Sequence, residues 1–140
     1  MKTVRCFVVA LLIMTGISCT ACREVASPLE DYTWVLTSYG KLGEVHDVLP
    51  ETEVTAFFDS ETNEVSGNGG CNHYGGGYEV DGLDLIMKGS FYATEMWCGD
   101  AIGEQERMYL EALQAAESFR LEHGNLRIDC GEWLLNFERQ

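Results

Sequence analysis

The chain is short of positive charge. Nine Lys and Arg stand against 23 Asp and Glu in 140 residues, leaving a formal net charge of −14. A surface of that sign repels phosphate backbones and anionic lipid head groups, which argues against nucleic-acid binding and electrostatic docking on a membrane. Histidine is nearly as scarce. His46, His73 and His123 are the only three, two of them in loop-like sequence, and no Ser-His-Asp arrangement can be assembled from them. No D-x-D-x-D-G run marks a calcium loop. The acids Asp81, Asp84, Glu95, Asp100, Glu104 and Glu106 read mostly as solvated surface. The apolar stretch from Cys6 to Met14 falls well short of the roughly 20 residues that a membrane-spanning helix needs. These gaps leave no catalytic residues, no metal and no cofactor to expect.

What is present begins with a secretory pattern. Lys2 and Arg5 precede the apolar stretch, and small residues follow it around Cys19, which is the layout of a signal peptide over residues 1–18. Gly16-Ile17-Ser18-Cys19 resembles the lipobox of bacterial lipoproteins, with Cys19 as the lipidated residue and Cys22 as the alternative. An ordinary signal peptide cut near Ala21, with no lipid, is the alternative, and the lipoprotein reading is preferred. Residues 19–30 then form a lipidated tether and residues 31–140 a single domain. Cleavage before Cys19 leaves 122 residues, enough to bury one core, and losing Lys2 and Arg5 takes the charge to −16. The expected location is the bacterial cell envelope, at the periplasmic or outer-membrane face by a lipid anchor only, or outside the cell if the lipid is absent.

Export favours disulfides, because it removes the pool that keeps thiols reduced. With Cys6 removed and Cys19 lipidated, Cys22, Cys71, Cys98 and Cys130 remain, and four cysteines allow three pairings.

From Tyr32 onward the pattern is mostly strand. Val54, Ala56 and Phe58 alternate, and Asp59 to Asn63 reads as a hairpin loop into Val65. Asp81-Gly82 is the strongest hairpin signal, since a two-residue turn needs the positive φ that Gly supplies. His123-Gly124-Asn125 and Cys130-Gly131-Glu132 repeat the logic, and Trp133, Leu135 and Phe137 share one face. From Glu104 to Ala116 the period changes: Met108, Tyr109, Ala112, Leu113 and Ala116 form one helical stripe. Asp100 is the expected cap of that helix, with Glu104 and Glu106 suited to its positive end.

The run Ser66-Gly67-Asn68-Gly69-Gly70-Cys71-Asn72-His73-Tyr74-Gly75-Gly76-Gly77-Tyr78, answered by Thr94-Glu95-Met96-Trp97-Cys98, closely resembles the core of the META domain, also called HslJ-like. Trp34-Val35-Leu36, Thr55 to Asp59, Glu106 to Leu113, Leu126 to Ile128 and Leu134 to Phe137 fall in the order of that family. Trp97, where the family more often has a small residue, and Cys130 depart from it. The resemblance implies an α+β fold, an antiparallel β-meander half-barrel packed around one amphipathic helix. It also implies a Cys71–Cys98 disulfide, closing a loop worth on the order of 3 kcal/mol. Cys22 with Cys130 is then the possible second pair.

The residues leave other chemistry open. A phosphate loop would need a Lys and a helix N-terminus after the glycines, but Lys88 is the next Lys and strands are the neighbours, so the glycines serve geometry. Cys71 and His73 share a strand face, where a thiolate pair or a zinc site competes with the bridge. The family's loose associations imply a non-catalytic binding or accessory module in envelope maintenance, stress tolerance or secretion, partnered by an envelope protein. Alternatives are a carrier of a lipid or small apolar ligand in the half-barrel, and an inhibitor of an envelope protease that uses Asp59 to Asn63.

Overall fold

The computed structural model describes residues 28–140. The signal peptide, the lipidation candidates Cys19 and Cys22, and Cys22 as a partner of Cys130 lie outside the described residues. The elements run β1 (Thr33–Lys41), β2 (Glu44–Asp47), β3 (Thr55–Asp59), β4 (Glu64–Asn68), β5 (His73–Asp81), β6 (Asp84–Ala93), α1 (Asp100–Gln114), β7 (Ser118–Glu122), β8 (Asn125–Cys130) and β9 (Trp133–Arg139).

Neighbouring strands pair antiparallel, in the order β2-β1-β3-β4-β5-β6-β7-β8-β9. One pairing changes the architecture. β1 pairs with β3 at Thr33 to Val35 on one edge, with β2 at Ser38 to Lys41 further along, and with β9 from Trp34 to Lys41 on the other edge. The expected half-barrel is therefore corrected to a closed barrel of eight strands with β2 as a flap. Its weakest seam is β6 to β7, paired in register only at Asp84 and Ser118. Two more hydrogen bonds, Leu85 N–H to Glu117 O at 3.0 Å and Phe119 N–H to Leu83 O at 2.9 Å, complete the seam.

The helix connects those two strands and packs on β6 on one side and on β8 and β9 on the other, so it fills the opening where they part. Tyr109, Ala112 and Leu113 point inward with Trp34, Phe58, Phe119, Ile128, Leu135 and Phe137, all buried. The expected stripe holds, except that Met108 is only half-buried. The expected cap does not. The helix begins at Asp100 itself, behind Gly99, which takes φ 93° and offers no side-chain cap. The backbone supplies the first bond instead, from Gly103 N–H to Gly99 O at 3.0 Å.

Two hairpin turns fall where the glycines place them. His123 and Gly124 are the two central residues between the paired Glu122 and Asn125. The other turn sits one residue later than the Asp81-Gly82 signal suggested, because Asp81 pairs with Asp84 and Gly82-Leu83 forms the turn. At the entrance, Leu29 is fully buried and its carbonyl accepts the Trp34 indole N–H at 2.8 Å. The packed body thus takes in the last residues assigned to the tether.

Two glycine substitutions should act in opposite directions. A Cβ on Gly67 would collide with the Thr55 carbonyl, whereas one on Gly103, inside the helix, would meet nothing. Gly67→Ala is expected to lower stability by about 2–3 kcal/mol. Gly103→Ala should raise it by about 0.5–1 kcal/mol. Urea unfolding midpoints read both.

Candidate functional site

The glycine-rich run forms the end of β4, a tight turn and the start of β5. Gly70, at φ 109°, donates its N–H to the Asn68 side-chain carbonyl at 2.7 Å, and Gly69 N–H bonds Asn72 O at 2.7 Å. The bridge Cys71–Cys98 is present, with Cα atoms 5.9 Å apart. It ties this turn to the segment that leads from β6 into the helix. With Cys71 in the bridge, neither a Cys71–His73 thiolate pair nor a zinc site built on that thiolate forms.

Beneath the turn lies an anchor that sequence reasoning missed. Glu106, 9% exposed, accepts the Asn72 N–H at 2.6 Å and the Asn72 side-chain N–H at 2.7 Å, one on each carboxylate oxygen. Asn72 in turn uses its carbonyl oxygen to accept Met96 N–H at 2.7 Å and the Thr94 hydroxyl at 2.9 Å, and donates to Met96 O at 3.2 Å. A buried carboxylate requires such donors, since leaving it unpaired costs several kcal/mol. Gly69 is glycine here because a Cβ would run into the Glu106 side chain. Reading Glu106 as solvated surface is thus corrected, and the signal was available: it stands three and seven residues before Tyr109 and Leu113, on the buried stripe.

Two more helix side chains act alike. Gln105 accepts Leu49 N–H at 2.7 Å and donates to the Thr52 hydroxyl at 3.0 Å, fixing the loop before β3. Gln114 donates to Gly89 O at 2.9 Å and accepts Phe91 N–H at 3.2 Å. Those backbone groups belong to a bulge, where Gly89 to Phe91 face Gly76 alone between the pairs Gly75–Tyr92 and Gly77–Lys88. Below, the Tyr74 and Tyr109 hydroxyls meet at 2.6 Å. Burial raises both of their pKa values, so they remain protonated.

On this rigid base sits an open groove of about 520 Å³ on the outer wall of β3 to β6. Within its lining, Ser66 and Tyr92 stand in one outward row on either side of Gly75, and Thr55, Asn68, His73 and Thr94 stand in the next. Gly75 leaves a gap in the first row, and the Tyr92 ring lies in it, where any Cβ would strike the phenol. Tyr92 is 61% exposed; Met96 at 60% and Trp97 at 84% follow on the adjoining segment. The departure at Trp97 is thus an exposed aromatic. Asp81, Asp84, Glu95, Asp100 and Glu104 are exposed as expected.

Cys130 lies away from the groove, with a free, buried thiol that burial, then Asp129 and Glu117, push up to about 12. No group of three or more acids, histidines and cysteines with metal-holding geometry occurs among the described residues.

The META domain family model matches residues 27–140. A solved NMR structure of a protein from Burkholderia xenovorans aligns with TM-score 0.68 and 24% identity over 80% of this chain and 83% of that one. A second NMR structure aligns at 0.62 and 21% over 81% and 95%. A crystal structure of a DUF4847 family protein from Bacteroides vulgatus aligns at 0.56 and 13% over 79% and 94%. These three likenesses speak to the fold alone. No curated protein matches the sequence.

Glu106→Ala is expected to destabilise the domain by about 3 kcal/mol, because two buried donors lose their acceptor. Glu104→Ala, which removes only an exposed ion pair with Arg107, should stay within about 0.5 kcal/mol. Denaturant titration separates the two. A raised thiol pKa favours the fold while the unfolded thiol is still protonated. The Cys130 contribution is therefore complete below pH 9 and fades as pH climbs from about 9 toward 12. Iodoacetamide at pH 8.5 should leave Cys130 unmodified in the native protein and alkylate it after denaturation, as read by peptide mapping.

Proposed function

Because the chain belongs to the META domain family, we propose that it is a non-catalytic binding or accessory module of the bacterial cell envelope, serving envelope maintenance, stress tolerance or secretion. A lipid on Cys19, or on Cys22 in its place, would hold it at the membrane face and leave the barrel free in the aqueous space. That part of the reading rests on the signal-like N-terminus and the lipobox resemblance.

The observation that carries the proposal is the groove, with Tyr92 exposed in its lining and Met96 and Trp97 exposed on the adjoining segment, over a hydrogen-bonded base. Large exposed apolar side chains that the fold does not need are a mark of a contact surface. Tyr92, Met96 and Trp97 stand together on one stretch of chain, and the Asn72 side chain and the disulfide fix that stretch in place. Two reactive groups are withdrawn from chemistry: Cys71 is oxidised and Cys130 is buried and protonated.

The carrier alternative needs an empty interior. Trp34, Phe58, Tyr109, Phe119 and Phe137 are instead fully buried in one packed cluster, so the outer wall is the better place for a ligand. The inhibitor alternative has one feature in its favour. The loop after β3 is braced by the Asp59 carboxylate, which accepts the N–H groups of Glu61 at 2.8 Å and Thr62 at 3.1 Å.

In cells that carry this protein, deletion should increase sensitivity to envelope stress, and the wild-type gene should restore tolerance. The double variant Tyr92→Ala, Trp97→Ser should be made and anchored normally yet fail to restore it. Full rescue by that variant would remove the groove as the working surface.

A further inference from the structure

We propose that the groove on β3 to β6 binds a neutral glycan, with the Tyr92 ring as the platform on which a sugar ring stacks; this rests on the groove being the working surface. The first reason is charge. The chain carries 23 acids and nine bases, yet the groove is lined without an Asp, Glu, Lys or Arg. A site for an ionic ligand would show the opposite sign, and the overall negative charge disfavours nucleic acid.

The second reason is which polar groups are left over. The Thr94 hydroxyl, the Thr55 hydroxyl and the Asn68 side-chain carbonyl are all engaged within the protein. The Ser66 hydroxyl, the Asn68 NH2 group and the His73 imidazole have no hydrogen-bond partner among the described residues and face the groove. That set of donors and acceptors suits vicinal hydroxyls, each of which gives and receives one hydrogen bond.

The third reason is the seat of Tyr92. Since Gly75 has no side chain, the phenol end of Tyr92 settles over the strand there while the side chain stays 61% exposed, which leaves aromatic surface for the C–H face of a pyranose. The cavity, at about 520 Å³, falls within the range of small-ligand sites. An extended peptide fits less well. β4 and β5 are paired on both edges, so no backbone is free to add a strand.

The test is a titration of the isotope-labelled purified protein with maltotriose, cellobiose and N,N′-diacetylchitobiose at millimolar concentrations, followed by amide NMR. A saturating shift with at least one saccharide is expected, confined to Ser66–Asn68, His73–Tyr74 and Tyr92–Thr94. Tyr92→Ala should weaken it about tenfold and Tyr92→Phe by about twofold or less, with the remaining spectrum unchanged. Absence of shifts with all three sugars, shifts elsewhere, or binding indifferent to Tyr92→Ala overturns the proposal. Saturation of the same amides by an unstructured peptide but by no sugar also overturns it. If the sugars fail while the Tyr92→Ala, Trp97→Ser variant still fails to rescue cells, the ligand class is wrong and the surface stands. If that variant rescues, the surface itself is wrong.

Discussion

One carboxylate organises this molecule. Glu106 is on the helix, and Asn72 is in the turn between β4 and β5. Through the Asn72 side chain the bond reaches Thr94 and Met96 in the segment that enters the helix. Three pieces of chain, far apart in sequence, are thereby fixed to one side chain. In water such a carboxylate would contribute little, but in a water-poor site each lost hydrogen bond leaves a group stranded, and that asymmetry makes the arrangement all-or-none. The disulfide beside it works differently, by limiting the unfolded chain. One device selects the geometry and the other makes departure from it less favourable.

The glycines follow from that geometry. Gly69 makes room for Glu106, Gly67 lets β4 approach Thr55, and Gly75 and Gly76 receive the rings of Tyr92 and Phe91 on opposite sides of the wall. Gly76 seats an inward aromatic next to Tyr74, while Gly75 seats the outward one that floors the groove. One strand thus serves both the core and the surface. Substituting either glycine displaces an aromatic on a different side.

Much of the fold is legible locally. The strand from Thr55 to Asp59, the alternation of Val54, Ala56 and Phe58, and the hairpin at His123-Gly124 all follow from period and turn chemistry. β2 was not, because its four residues are all exposed and leave no alternating trace. Closure of the barrel was not, because the β1–β9 pairing joins residues about a hundred positions apart, and local period says nothing of partners at that range. The turn at Gly82-Leu83 shows the limit of a dipeptide signal: Gly locates the positive φ, but the register decides which neighbour joins it. Within the site, the Cys71–Cys98 bridge came with the family resemblance. Glu106 was hidden by its charge, which outweighed its place on the buried stripe.

The pairing of β1 with β9 makes the first strand wait for the last. A chain delivered from its N-terminus presents β1 with one long edge empty until Trp133 to Arg139 arrive. Closure then has to wait for every strand between them. A truncation of even a few C-terminal residues would uncover two sheet edges at once, and exposed edges are templates for association with other chains. The domain is therefore poorly suited to being shortened at its C-terminus.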